Sequence, residues 1–289
     1  QFNGNQFAKE ALTKGAAYAI VDEEINEPDD RIILVPDVLK ALQNLAQHHR
    51  MQFISATSEK QIPFIAITGS NGKTTSKELV HAVLSTAYKT YTTEGNLNNH
   101  IGIPLTILKI KADAEIAIIE MGANHLKEIE EYCTYTMPTH GVITNCGKAH
   151  LEGFGSEEGI RKGKGELFDY LKQNKGTAFI MSDYEYLQTM SSGIENIVTY
   201  GTHDADVTGI VKNSSGLLEV EITSDVMLNF IETKLVGEYN LPNILLAVTV
   251  GRHFNIPDEK IKTALENYLP DNSRSQLIET DSNKIILDA

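Results

Sequence analysis

The chain has 289 residues, enough for two domains with proper cores or for one domain and a partial neighbour. Its hydrophobic fraction of 41% and charged fraction of 22% are those of an ordinary soluble globular protein, and a net charge of −14 argues against a nucleic-acid or anionic-membrane partner. No apolar run nears the ~20 residues needed to span a bilayer, no signal peptide opens the chain, and two cysteines are too few for a disulfide framework.

In chain order, residues 1–55 read as α/β. A short helix covers Ala8 to Lys14, strands cover Ala17–Val21 and Ile32–Val35, and a helix runs from Pro36-Asp37 to about Met51. The acidic clusters Asp22-Glu-Glu and Glu27-Pro-Asp-Asp read as a solvated turn. A polar linker, Ser55 to Gln61, separates this piece from a second α/β region.

The start of that second region is the most informative part of the chain. An apolar strand, Ile62–Thr68, stops at a glycine-rich turn, and Lys73-Thr-Thr opens a helix to Tyr88. Strand, small glycine loop, then helix is the order of a phosphate loop. Glycines allow backbone N–H groups to turn inward on phosphate oxygens, and the helix start adds unpaired donors and a favourable dipole. Gly69, Asn71, Gly72, Lys73, Thr74 and Thr75 are the candidate nucleotide-binding residues. Lys73 would reach the outer phosphates, and the Thr74 hydroxyl would ligate Mg²⁺. The usual loop has four residues between its glycines, whereas Gly69 and Gly72 enclose two.

Strands and helices then alternate: strand Thr90–Thr93, helix Ile101–Leu108, strand Ala114–Met121, helix Leu126–Tyr135, strand His140–Asn145, helix Ser156–Gln173 capped by Ser156, and strand Thr177–Met181. Such alternation predicts an α/β fold, a mainly parallel sheet flanked by helices. Val207–Val211, Leu217–Ile222 and Met227–Leu235 alternate apolar and polar residues and predict a small antiparallel meander on the sheet's flank. Two helices follow, Leu241–Phe254 with Asn240 as its cap and Asp258–Tyr268, and a last strand begins at Lys284. Both ends look cut, so the chain reads as a fragment. Cys133 and Cys146 read as reduced core residues of a cytoplasmic protein.

Ligands of open α/β sheets bind beyond the carboxyl ends of strands. Glu120 ends an apolar strand and is placed to hold Mg²⁺, directly or through water, opposite the phosphate loop, although alone it could be a helix-capping or surface acid. The loop Thr144-Asn-Cys-Gly-Lys-Ala-His150-Leu-Glu-Gly carries more polar groups than a connector needs, and His150 in it is an acid–base or ligand candidate. Magnesium's preference for oxygen speaks against a direct imidazole ligand. Lys162, Lys164 and Glu166 would ordinarily be an exposed charged face. Gly163 and Gly165, each costing about 1 kcal/mol inside a helix, instead predict close approach of a ligand or a backbone at Lys164.

Together, Thr68-Gly-Ser-Asn-Gly-Lys-Thr-Thr75, Gly95-Asn-Leu-Asn-Asn-His-Ile-Gly-Ile-Pro-Leu-Thr106, Glu120-Met-Gly-Ala-Asn-His125 and Ala149-His-Leu-Glu-Gly-Phe-Gly155 resemble the Mur ligases, whose phosphate loop has this short form. The asparagine-rich strings favour the branch that joins D-alanyl-D-alanine to UDP-N-acetylmuramoyl-tripeptide. The resemblance implies an ATP-dependent, ADP-forming ligase of peptidoglycan precursor synthesis with an acyl-phosphate intermediate. Residues 1–55 would be part of the substrate domain and 60–289 the central ATPase domain, with a carboxy-terminal domain to follow. The fragment alone would be inactive.

Residue by residue, the resemblance implies that Lys73 and Thr74 serve ATP and Mg²⁺, Glu120 one magnesium, and His150 a second. Lys164 matches a lysine carried as a carbamate, Asn243 an adenine contact, Arg274 and Asp288 residues near the nucleotide, and Asn98 and Asn99 residues near substrate and phosphates. Small-molecule substrates and a monomer, with no nucleic-acid or membrane partner, are what it implies for partners. Its rivals are another ligase of the superfamily acting on a carboxylate such as folyl-glutamate, a nucleotide-dependent switch module, and a small-molecule kinase.

Overall fold

A computed structural model describes residues 3–26, 29–54, 61–148, 151–224, 228–270, 276–279 and 284–287. The chain begins with a single-turn 3₁₀ helix, Gly4–Phe7, leading into α1 (Ala8–Thr13). Two short parallel strands, β1 (Ala19–Val21) and β2 (Ile32–Leu34), pair beside it and close a small core of Ala8, Leu12, Ala19 and Val21. Helix α2 (Val38–Met51) starts where the Asp37 carboxylate accepts the Lys40 N–H at 2.9 Å.

Arg50 near the end of α2 is fully buried. Its guanidinium lies 3.7 Å from the centre of the Phe64 ring and donates to the carbonyls of Thr136 and Met137 at 2.9 and 3.0 Å. A charge this deep is tolerated because backbone acceptors and an aromatic face replace water. Burial still pushes its pKa down to about 10. Ala46 and Phe53 of the same segment belong to the main core.

That core surrounds a nine-stranded sheet built from β3 (Phe64–Thr68), β4 (Thr90–Thr92), β5 (Ile116–Glu120), β6 (His140–Ile143), β7 (Thr177–Met181), β8 (Asn196–Gly201), β9 (Val207–Asn213), β10 (Leu217–Ile222) and β11 (Phe230–Val236). The order across the sheet is β11-β10-β9-β8-β7-β6-β3-β5-β4. Every pairing from β4 to β9 is parallel, and β9, β10 and β11 pair antiparallel. The expected meander therefore extends the same sheet, because β9 joins β8 with Tyr200 opposite Val207. β3 and β5 are buried at every residue, as parallel strands covered on both faces must be.

The helices between these strands are α3 (Lys73–Leu84), α4 (Gly102–Lys109), α5 (Glu128–Thr136), α6 (Leu151–Phe154), α7 (Glu157–Gln173) and α8 (Glu185–Met190), and α9 (Leu241–His253) and α10 (Asp258–Asn267) follow the last of them. They flank the sheet in two groups, α3 with α9 and α10, and α2 with α4, α5 and α7. A last antiparallel pair, β12 (Gln276–Glu279) and β13 (Lys284–Leu287), follows.

Three local expectations change. The helix predicted from Leu126 begins at Glu128, because Lys127 is left-handed with φ 74°. The strand predicted to reach Asn145 stops at Ile143, since Thr144 and Asn145 leave the ladder to bond the phosphate loop. Asn240 does not cap α9 with its side chain: it ends a 3₁₀ turn, donates to the Val236 carbonyl and accepts from the Asn243 amide, each at 2.9 Å.

Neither α8 nor β8 was expected. α8 buries one side chain, Leu187, and β8 is buried only at Tyr200 and Gly201, so neither carries a full period. Both cysteines are buried free thiols, as expected.

Candidate functional site

Strand β3 is flanked by β5 on one side and β6 on the other, so the direction of winding reverses at its carboxyl end. Such a switch point opens a crevice, and residues 69–72 fill it. Gly69 has φ 145°, and a Cβ there would lie 1.9 Å from the Thr144 hydroxyl. Gly72, left-handed at φ 77°, stands immediately before α3, and a Cβ on it would meet Asn243 Oδ1 at 2.9 Å. Both glycines are therefore dictated by conformation and by space.

The loop is clamped from β6. Ser70 N–H donates to the Asn145 carbonyl at 2.9 Å and Asn71 N–H to Asn145 Oδ1 at 3.1 Å. Thr144 Oγ1 donates to the Asn71 carbonyl at 2.6 Å, joined there by Asn145 Nδ2 at 3.1 Å. Sequence reasoning singled out the stretch after residue 143 but gave these two residues no role. Only the adjacency of β3 and β6 reveals it. Lys73 curls over the loop, its ammonium donating to the carbonyls of Gly69 and Ser70 at 2.8 and 3.0 Å.

A cleft of about 1160 Å³ opens beside the loop. Asn71, Gly72, Lys73, Thr75 and Asn243 line it, with Tyr239 among the residues facing them. Asn243 is buried between two partners: its Oδ1 accepts from Ser76 Oγ and its Nδ2 donates to Asn240 Oδ1, both at 2.9 Å.

Thr74 faces the other way, toward β5. Its hydroxyl lies 3.2 Å from Glu120 Oε1, which also accepts from Asn98 Nδ2 at 2.7 Å. Glu120 is 1% exposed, and its second oxygen, Oε2, has no hydrogen-bond partner. A buried carboxylate oxygen left unpaired is costly and calls for a cation or water. Two hard oxygens, one a carboxylate, suit Mg²⁺. Among the described residues no group of three or more His, Cys, Asp or Glu gathers to hold a metal, so this site rests on Thr74 and Glu120. Asn99 is exposed, and its Oδ1 accepts the Ile101 and Gly102 N–H groups at 3.1 and 2.9 Å, starting α4.

The charged stretch on α7 departs from the exposed face that propensity predicts. Lys162 is exposed, but Lys164 and Glu166 are buried. Lys164 Nζ donates to the Ala123 carbonyl at 3.2 Å, in the loop that follows Glu120, and lies 5.3 Å from the centre of the Phe154 ring. Burial, and then the charge of Lys73, pull its pKa down to about 8.

Glu166 accepts from the backbone N–H groups of Lys127 and Glu130 at 2.6 and 3.0 Å, which holds the start of α5. The nearest protein atoms facing the glycines beside Lys164 belong to side chains, not to another backbone. A Cβ at Gly163 would lie 2.4 Å from Phe154 Cε1, and one at Gly165 only 3.4 Å from Met190 Cε. His150, Arg274 and Asp288 lie outside the described residues.

Residues 67–251 match the model of the Mur ligase middle domain. The chain belongs to the Mur ligase family. A Mur ligase relative from Bacillus subtilis (strain 168), UDP-N-acetylmuramoyl-tripeptide–D-alanyl-D-alanine ligase, is 34% identical over 290 residues, covering 99% of this chain and 61% of its own. Among solved structures, MurF from Acinetobacter baumannii superposes with a TM-score of 0.87 at 27% identity, over 99% of this chain and 62% of its own. MurF from Thermotoga maritima in complex with ADP gives 0.83 at 28% identity, over 99% and 65%. The chain thus spans about 61% of the length of the curated relative, and its fold is that of the MurF ligases.

Proposed function

We propose that the protein is an ATP-dependent ligase that joins D-alanyl-D-alanine to UDP-N-acetylmuramoyl-tripeptide in peptidoglycan precursor synthesis. The observation that carries this reading is Glu120, a buried carboxylate with one unpartnered oxygen, 3.2 Å from the hydroxyl of a residue that opens the helix after a phosphate loop. The names of the full-length relatives support the substrate pair, and the ADP in the Thermotoga maritima complex supports the nucleotide. Residues 1–55 would then belong to a substrate domain and 60–289 to the central ATP-binding domain. We further propose a cytoplasmic monomer without nucleic-acid or membrane partners. Among the described residues no helix is long and apolar enough to cross a membrane.

In this reading the terminal carboxylate of the tripeptide attacks the γ-phosphorus of ATP. The bond to the β-γ bridging oxygen breaks, and an acyl phosphate and ADP form. The amine of D-alanyl-D-alanine then attacks the acyl carbon, inorganic phosphate leaves, and the amine loses a proton. The N–H groups of Gly72, Lys73 and Thr74 at the start of α3 cradle the phosphates, and the Lys73 ammonium moves from the loop carbonyls to the outer phosphate oxygens. Thr74 and Glu120 would hold one Mg²⁺, and His150 would serve a second. Bound magnesium would neutralise charge on oxygens that otherwise repel one another. Asn98 orients Glu120, Asn243 with Arg274 and Asp288 would receive the nucleoside, and Asn99 would border the substrate.

Lys164 would be carried as a carbamate. A pKa lowered to about 8 gives a far larger neutral fraction than an ordinary lysine has, and the neutral amine is the form that adds to carbon dioxide. The resulting anion would face the loop after Glu120. The test uses the full-length enzyme with both substrates, MgATP and hydroxylamine. Stoichiometric ADP and amide, with an acyl hydroxamate trapped when D-alanyl-D-alanine is omitted, is the expected result. Phosphate on a stable acceptor would point to a kinase, and nucleotide hydrolysis without amide to a switch module.

A further inference from the structure

Lys77 on α3 is fully buried. It stands about one turn after Thr74 on α3, so the two side chains leave the same side of the helix. Its ammonium donates to the Thr93 carbonyl at 2.5 Å and pairs with Glu78 at 2.8 Å. Thr93 lies just past β4, the edge strand of the sheet, and is itself completely buried. The Thr93 hydroxyl accepts the backbone N–H of Glu120 at 3.0 Å. Glu120 in turn receives Thr74. The four residues close a ring: helix to edge segment, edge segment to the backbone of Glu120, and the Glu120 carboxylate back to the helix.

We infer that Lys77 is a positioning residue for the metal carboxylate, acting through Thr93; the inference rests on the reading of Glu120 as a magnesium ligand. The ion pair with Glu78 offsets its charge, so its contribution is geometric rather than a long-range field. Without a donor at Nζ the Thr93 carbonyl would be left unpaired, and the segment carrying the Thr93 hydroxyl would shift to find one. Glu120 would lose the fixed backbone from which its unpartnered oxygen is aimed. Residues that orient a metal ligand from behind change metal affinity by about 10–100-fold when removed.

The test measures Mn²⁺ binding by electron paramagnetic resonance in the presence of ADP, and ADP binding in EDTA, on the full-length enzyme. Wild type and Glu120→Gln establish whether the metal site itself exists; loss of metal affinity in Glu120→Gln supports that reading. Lys77→Met is then expected to weaken Mn²⁺ about tenfold while ADP affinity in EDTA stays unchanged. Thr93→Val, which keeps the carbonyl and the shape but removes the hydroxyl, covers the case in which Lys77→Met fails to fold. It is expected to give a comparable metal-specific loss. Where both variants fold, the double variant should lose no more than the worse of the two, because both act on one path. Unchanged Mn²⁺ affinity in either folded variant would overturn the inference while leaving the Glu120 reading intact. So would a parallel fall in metal-free ADP affinity, or full additivity of the two losses. Metal binding that ignores Glu120→Gln would overturn both.

Discussion

Two buried glutamates, Glu120 at the end of β5 and Glu166 on α7, sit on either side of the same loop, and their oxygens are treated in opposite ways. Glu166 is saturated, each oxygen taking one backbone N–H at the start of α5. Glu120 has one oxygen engaged by Thr74 and Asn98 and the other unpartnered. A carboxylate with both oxygens engaged holds a fold together. One that is buried and incomplete calls for a cation or water to offset its desolvation, and the proposed magnesium would do so.

The contrast is broken most forcefully at Glu120. Glu120→Gln in the full-length enzyme should lower turnover by roughly 100-fold or more, as expected when a group that stabilises phosphoryl charge is lost. The melting temperature should hold or rise, because a buried unpaired charge is removed. A fall in melting temperature would mean that Glu120 is structural after all.

Glu166→Gln should behave inversely. An amide oxygen can accept one or both N–H groups only weakly, and its NH₂ opposes the other, so stability should drop by about 1–3 kcal/mol in a denaturant titration. Metal-dependent ADP affinity should not change.

A smaller effect tests the lysine between them. With its pKa lowered to about 8 by burial and Lys73, Lys164 should take up ¹³C-bicarbonate increasingly as pH rises through about 8, read by NMR. Lys164→Arg should be silent.

The smallest effect on turnover is expected from the control at the far end of the sheet. His140, which opens β6, has its pKa lowered from 6.5 to about 3 by burial and then by His253, 3.2 Å away. Its folded pKa is depressed, so the unfolded chain protonates first and stability is lost as pH falls from about 6.5 toward 3. His140→Phe should flatten that part of the stability curve and leave turnover unaltered.

The same contrast explains what could be read from residues alone. The strand, glycine turn and helix around Lys73 were legible because an apolar run stops at paired glycines before a helical pattern, and the place of Glu120 because it ends an apolar strand beside them. The parallel sheet followed from strict alternation of strands and helices. Lys164 and Glu166 were misleading for one reason: burial of a charge depends on partners 41 and 36 to 39 residues away. Thr144 and Asn145 belong to the same class, since their roles depend on β6 lying next to β3. α8 and β8 were missed because their apolar periods are too short to register.

The most direct test is a crystal structure of the full-length enzyme with a non-hydrolysable ATP analogue and Mg²⁺. Phosphates are expected against the backbone N–H groups of Gly72, Lys73 and Thr74, with the Lys73 ammonium turned onto them and a metal ion touching Thr74 Oγ1 and the second oxygen of Glu120. Phosphates bound elsewhere, or a metal that leaves that oxygen bare, would contradict the assignment of this site.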